Sequence, residues 1–136
     1  MEISESISYK GHTQCITAIS LTKDKIFSCS KDKSIIQWDR ETKNKNFITL
    51  GKDQSIDHQG PIICLDFHPI FNLLATAGED GQVKLWDVRN NQLVDTLKGH
   101  RGCINGLKFG FNSSNLCSIS SDKTLKEWDC TQRGLI

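Results

Sequence analysis

Three times along 136 residues a histidine, a hydroxyl residue, an aspartate and a tryptophan recur in the same order. His12, Ser28, Asp32 and Trp38 make the first set, His58, Thr76, Asp80 and Trp86 the second, and His100, Ser118, Asp122 and Trp128 the third. Each Asp stands six residues before its Trp, each hydroxyl residue stands four before its Asp, and His to Trp spans 26, 28 and 28 residues. Hydroxyl, imidazole and carboxylate are the groups of a hydrolytic triad, in which His takes the hydroxyl proton and Asp orients the His. A nucleophile, however, serves one exposed site beside an oxyanion hole. Here the set is triplicated, and an indole N–H is available to occupy each hydroxyl. The same four groups can satisfy one another inside a protein: the imidazole donates to the carboxylate and bonds the hydroxyl, while the indole donates to that hydroxyl. Repetition favours this structural reading, so no catalytic residue is expected. No metal or cofactor is expected either, because His and Cys nowhere form the closely spaced pairs of a zinc site.

Such sets converge only if the chain between them folds back on itself. The repeats begin 46 and 42 residues apart, close to the roughly 40 to 45 residues of a four-stranded propeller blade. Apolar and β-branched runs predict inner strands over 15–21, 62–67 and 103–109, and second strands over 26–30, 73–77 and 116–120. Turns follow at 31–33, 79–81 and 121–123, where Asp and Gly suit a sharp reversal. Third strands are predicted over 34–38, 82–86 and 124–128, and outer strands over 46–50 and 92–97. A surface loop near 51–55 absorbs the extra length of the first repeat. The expected fold is all-β, with three four-stranded blades of an incomplete ring. Residues 1–10 are read as an outer strand of a neighbouring or closing blade, 11–56 as blade 1, 57–98 as blade 2 and 99–136 as blade 3 with its outer strand truncated. Propellers close with about four to eight blades, so the chain reads either as an excerpt of a larger ring, expected to have seven, or as one that assembles to complete it. Flanking faces would then expose Ile16, Ile36, Leu107 and Leu125, and the isolated chain is expected to self-associate.

Lys and Arg number 17 against 16 acids, which leaves no whole-chain field of the kind that marks a nucleic-acid or membrane binder. Lys23, Lys25, Lys31, Lys33, Lys43, Lys45 and Lys52 do crowd the first repeat, where they are either solvated strand ends or phosphate contacts. The opening residues carry acids where a secretory leader needs bases, and no apolar run reaches a membrane span, so an intracellular chain without membrane contact is expected. Its six cysteines are read as reduced thiols. The sequon at Asn112 then carries no sugar. His68, outside the repeated sets, is read as a turn residue.

From Tyr9 to Cys130 these landmarks resemble the WD-repeat β-propeller family. The resemblance implies a scaffold that binds proteins within multi-subunit complexes, usually on the face that carries the turn Asp. Offsets from His and Asp put on that face Cys15, Thr17 and Lys31 from the first blade, Pro61, Ile63 and Glu79 from the second, and Cys103, Asn105 and Ser121 from the third. Within the family, the runs from Ile26 to Trp38 and from Gly99 to Phe109 are similar to the WD-repeat component of the box C/D small nucleolar ribonucleoprotein of early small-subunit ribosomal RNA processing. That likeness implies a nucleolar site and contact with small nucleolar RNA through the particle. Trp86-Asp87-Val88-Arg89 also matches the box of propellers that serve cullin-type ubiquitin ligases as substrate receptors, and a general assembly hub remains a third reading. Asp57-His58 stands where the other repeats have Gly-His, which keeps the histidine and alters the turn before it.

Overall fold

The computed structural model describes residues 6–130, and strand-forming runs separated by Asp, Asn and Gly turns build them into three antiparallel sheets. Blade 1 contains β1 (Ile16–Leu21), β2 (Lys25–Ser30), β3 (Ile35–Asp39) and β4 (Lys45–Thr49) in that spatial order. Blade 2 contains β5 (Ile62–His68), β6 (Leu73–Gly78), β7 (Gln82–Asp87) and β8 (Gln92–Lys98), again as a meander. Blade 3 contains β9 (Ile104–Phe109), β10 (Asn115–Ser120) and β11 (Leu125–Asp129). The fold is therefore that of all-β propeller blades. In the third blade the outer-strand position falls on residues 131–136, outside the described residues. Among the described residues no helix is long and apolar enough to cross a membrane.

The inner strands β1, β5 and β9 lie side by side, and apolar faces of neighbouring sheets meet between them. Phe27, Cys29, Ile35 and Ile48 of blade 1 pack on Ile62, Leu65, Leu74 and Trp86 of blade 2. On its other face blade 2 places Leu73, Ala75, Ala77, Val83 and Leu85 against Ile104, Phe109 and Leu116 of blade 3. Covered on both sides, β6 is buried at every residue, as a strand must be to read as a continuous apolar run. The outer flanks are bare by contrast. Ile16, Ile19 and Leu21 of β1 are 51%, 66% and 61% exposed, and Leu125 of β11 is 65% exposed.

Two expectations about the flanks are corrected. Ile36 is fully buried, because the segment before β1 folds back over it: a Cβ on Gly11 would stand 3.0 Å from both Ile36 and Trp38, and Tyr9 sets its ring edge-on to Trp38 at 5.5 Å. Leu107 is half-buried against the blade 2–3 core. That same segment bears on the outer strand read over residues 1–10. Residues 1–5 lie outside the described residues, and 6–10 form no strand. A strand needs a sheet edge to pair with, and these residues instead cover the face of β3 and β4, with the Lys45 ammonium donating to the Lys10 carbonyl.

Candidate functional site

Each Asp stands in the turn between the second and third strands. The residue after it has a left-handed backbone in all three blades: Lys33 at φ 73°, Gly81 at φ 72° and Lys123 at φ 73°. Glycine takes that conformation without strain and lysine does not, so the turn must be held by something else. The carboxylate does this. In blade 2 Asp80 Oδ1 accepts the Gln82 amide at 3.1 Å, while Oδ2 accepts His58 Nδ1 at 2.8 Å and the Gln59 amide at 3.1 Å. In blade 3 Asp122 takes the Thr124 amide and hydroxyl on Oδ1, and His100 Nδ1 and the Arg101 amide on Oδ2, all within 2.9 Å. Burial works to raise the Asp80 carboxyl, but the His58 bond and the two amides outweigh it and hold Asp80 below the ordinary carboxylate range. The Thr124 hydroxyl and the Arg101 amide depress Asp122 further.

An ionised carboxylate can only accept, so the direction of every proton in the set follows. His58 Nδ1 carries hydrogen and, in the neutral imidazole, Nε2 is left as an acceptor. The Thr76 hydroxyl, 2.8 Å away, donates to it, and Trp86 Nε1–H donates to the Thr76 oxygen at 2.9 Å. Blade 3 repeats the chain from Trp128 through Ser118 to His100, at 2.9 and 2.7 Å. Blade 1 differs from the expected direct His–Asp bond. His12 Nδ1 is 3.8 Å from Asp32 and donates instead to Ser34 Oγ at 2.6 Å, whose hydroxyl donates to Asp32 Oδ1 at 2.5 Å. The rest of the chain is unchanged, with Ser28 2.7 Å from His12 Nε2 and accepting from Trp38 at 2.8 Å. Burial of Asp32 opposes ionisation, but the Ser34 and Thr13 donors prevail and leave its carboxyl far below the usual range. Burial lowers His12 below its ordinary 6.5, more strongly than Asp32 raises it. Ser34 and Thr124 occupy the same position, two after the Asp, where blade 2 has Gln82. The only mark of the blade 1 relay in the aligned repeats is this hydroxyl two residues after the Asp, which blade 3 also carries without needing it, since His100 reaches Asp122 directly.

Chemically these sets are closed. Ser28, Thr76 and Ser118 are at most 3% exposed, and the lone pair that would attack a substrate already accepts an indole proton. Burial likewise pushes the Cys29 and Cys64 thiols up to about 11 and about 12, away from the thiolate that would make them reactive. Among the described residues no cluster of three or more His, Cys, Asp or Glu is placed to hold a metal.

The nine face residues occupy equivalent places. The backbone N–H groups of Lys31, Glu79 and Ser121 donate to the carbonyls of Cys15, Pro61 and Cys103 at 3.0, 3.1 and 2.9 Å. The other three, Thr17, Ile63 and Asn105, are the residues skipped by register shifts in β1, β5 and β9. A bulge re-aims the side chain that it frees, so each blade turns one inner-strand residue out of the pleat near its Asp turn. Cys15, Lys31, Glu79, Asn105 and Ser121 are exposed and the other four half-buried. Spacing alone does not disclose a bulge, which adds no residue type of its own. His68 is corrected: it ends β5, is 3% exposed, and its Nε2 donates to the Ser113 carbonyl of blade 3 at 2.7 Å.

Residues 4–39, 51–87 and 91–129 match the family described as WD domain, G-beta repeat. The crystal structure of the RRP9 WD40 repeats superposes on 92% of the chain with a TM-score of 0.85 and 29% identity, and the chain covers 38% of it. A rice protein, the U3 snoRNP-associated protein-like YAOH of Oryza sativa subsp. japonica, is 34% identical over 112 residues, which are 73% of this chain and 22% of the rice protein. Nuclear distribution protein PAC1-1 of Uncinocarpus reesii is 45% identical over 74 residues, 53% of this chain and 17% of its own length. The chain thus spans about a fifth of the length of these two relatives. It belongs to the WD-repeat family of β-propeller proteins, with the triplicated His–hydroxyl–Asp–Trp chain as its internal frame. Its likeness extends in particular to the WD proteins named for RRP9 and the U3 snoRNP.

Proposed function

We propose that this chain is part of a non-catalytic protein-interaction scaffold within a nucleolar ribonucleoprotein that acts in ribosomal RNA processing. The observation that carries this reading is the superposition on the RRP9 WD40 repeats over 92% of the chain, supported by the rice U3 snoRNP-associated relative over 73%. The internal sets suit scaffolding because they turn all their reactive groups inward and stiffen each blade. Partners would meet the bulge and turn residues Cys15, Thr17, Lys31, Pro61, Ile63, Glu79, Cys103, Asn105 and Ser121, with RNA contact coming through the particle or through lysines of blade 1. Crosslinking in cells followed by recovery of the tagged protein tests it. Small nucleolar RNA should be enriched, and less so for Lys31→Glu.

A second reading rests on Arg89. Its guanidinium grips Asp87 with two bonds of 3.0 and 2.9 Å while remaining 67% exposed, so the Trp86–Arg89 box presents a fixed cation at the surface. Recovery of a cullin-ligase adaptor that is lost in Arg89→Ala, with no small nucleolar RNA enriched, would favour a substrate receptor over the ribonucleoprotein.

A further inference from the structure

Opposite the Asp turns, the β5–β6 and β9–β10 loops expose two large apolar side chains, Ile70 at 62% and Phe111 at 95%. Between the loops lies a cavity of about 270 Å³ lined by Phe67, His68 and Phe109 beneath and by Ile70 and Phe111 at the sides. Both walls belong to adjacent blades of this chain, so covering the bare flanks of blades 1 and 3 would not fill it.

Two features select the occupant. The volume falls below the roughly 300 to 1,000 Å³ of small-molecule pockets and suits a single bulky side chain. The lining carries one charge of each sign, Asp66 and Lys108. Asp66 is already engaged, accepting the Phe109 amide at 2.7 Å. A phosphate chain needs a surplus of cations, whereas a balanced rim around apolar walls complements an uncharged segment. His68 lies beneath these walls with its Nε2 donating to the Ser113 carbonyl and its ring stacked on Phe71 and edge-on to Phe109, so it closes the floor of the groove and offers it no polar atom.

We propose that the groove between Ile70 and Phe111 docks an extended, uncharged peptide segment of a partner protein. One aliphatic or aromatic side chain is seated between those two residues as the anchor. This adds a second contact end to the scaffold reading, and purified components test it, so its failure leaves the crosslinking result above untouched. The probe is a random peptide library displayed on phage and selected on the intact chain. Enriched peptides should share one large apolar residue flanked by uncharged ones. A synthetic copy, followed by fluorescence anisotropy, should lose at least tenfold in affinity with Phe111→Ala and with Ile70→Asp, and should be unaffected by Lys31→Glu at the other end. Both altered side chains are solvent-exposed, so the urea unfolding midpoint should not move, which separates lost binding from lost fold. The proposal is overturned if selection enriches nothing, if the peptides bind equally to Phe111→Ala, or if a single-stranded RNA oligonucleotide rather than a peptide shields Phe111.

Discussion

Replacing Thr76 with valine tests the directed proton chain of blade 2 with almost no change of shape. Thr76 Oγ1 accepts from Trp86 Nε1 and donates to His58 Nε2, and all three residues are at most 2% exposed. Valine fills the same volume, so no cavity term enters. What remains is an indole N–H without an acceptor and an imidazole nitrogen without a donor, neither in reach of water. At about 1 to 3 kcal/mol for each buried group left unsatisfied, the loss is about 2 to 6 kcal/mol, a large part of the roughly 5 to 15 kcal/mol that a domain has. Urea unfolding followed by tryptophan fluorescence reads it as a shift in midpoint at constant slope. Ser118→Ala in blade 3 should cost less, about 1 to 3 kcal/mol, because Trp128 is only half-buried and water can take its N–H. Combining Thr76→Val with Trp86→Phe should cost less than the sum, since the second change removes a donor that the first had stranded. A loss below about 1 kcal/mol for Thr76→Val, or equal losses in the two blades, would refute the closed chain and reopen a catalytic reading of the hydroxyls.

Acid should weaken the chain over two ranges of pH. His12 is held below its ordinary 6.5 by burial, so the unfolded state binds its proton first and stability falls as pH drops below about 6.5. Asp32, Asp80 and Asp122 are depressed from 3.8, so their contribution is complete above that value and is lost below it; a urea midpoint that does not fall between about pH 7.5 and about pH 4.5 would contradict the His12 effect. Gly78→Ala would put a methyl carbon 2.1 Å from the Pro61 carbonyl oxygen, a backbone clash at the β5 bulge, and the melting temperature should fall by on the order of 5 °C. The isolated chain should grow in apparent mass with concentration on light scattering, because Ile19, Leu21 and Leu125 are 66%, 61% and 65% exposed and burying a few hundred Å² at about 25 cal/mol per Å² yields several kcal/mol. Leu21→Lys together with Leu125→Lys should suppress that growth, and a concentration-independent monomer of the unaltered chain would count against it.

The blades were legible because their landmarks are chemical types at fixed offsets: Trp38, Trp86 and Trp128 close strands whose partners begin a constant distance upstream. The hydroxyl relay of blade 1 was less so, since Ser34 earns its role from a distance between His12 and Asp32 that spacing does not encode. Bulges at Thr17, Ile63 and Asn105 add no residue of distinctive type, and only the pairing of β1 with β2, and of its equivalents, reveals them. Ile36 was misplaced for a related reason. Periodicity says which side of a strand is apolar, but not which later or earlier stretch of chain folds over it. His68 was misread because Phe67-His68-Pro69 carries the composition of a turn while its imidazole reaches across to another blade.

The bonds to main chain between packed strands and loops of neighbouring blades share a direction. Thr17 donates to the Ile62 carbonyl, Cys64 to the Ile104 carbonyl, Gln37 to the Val88 carbonyl and His68 to the Ser113 carbonyl, while Asp66 accepts the Phe109 amide. In each of these a side chain of the earlier unit addresses the main chain of the later one, although Gln37 also donates to the Asn91 side chain and, in the connecting loop, Asp57 and Gln59 of blade 2 address the main chain of Asp53 and Gln54. Main-chain groups are the same whatever residue bears them, so a unit makes few demands on the side chains of its successor. Such a seam tolerates drift on one side without a matched change on the other, and it lets a duplicated unit be spliced in behind any existing one. The coupling is also ordered like a row of hooks and bars. A lesion in a hook, such as Thr17→Ala, loosens the seam ahead of it and leaves the one behind intact.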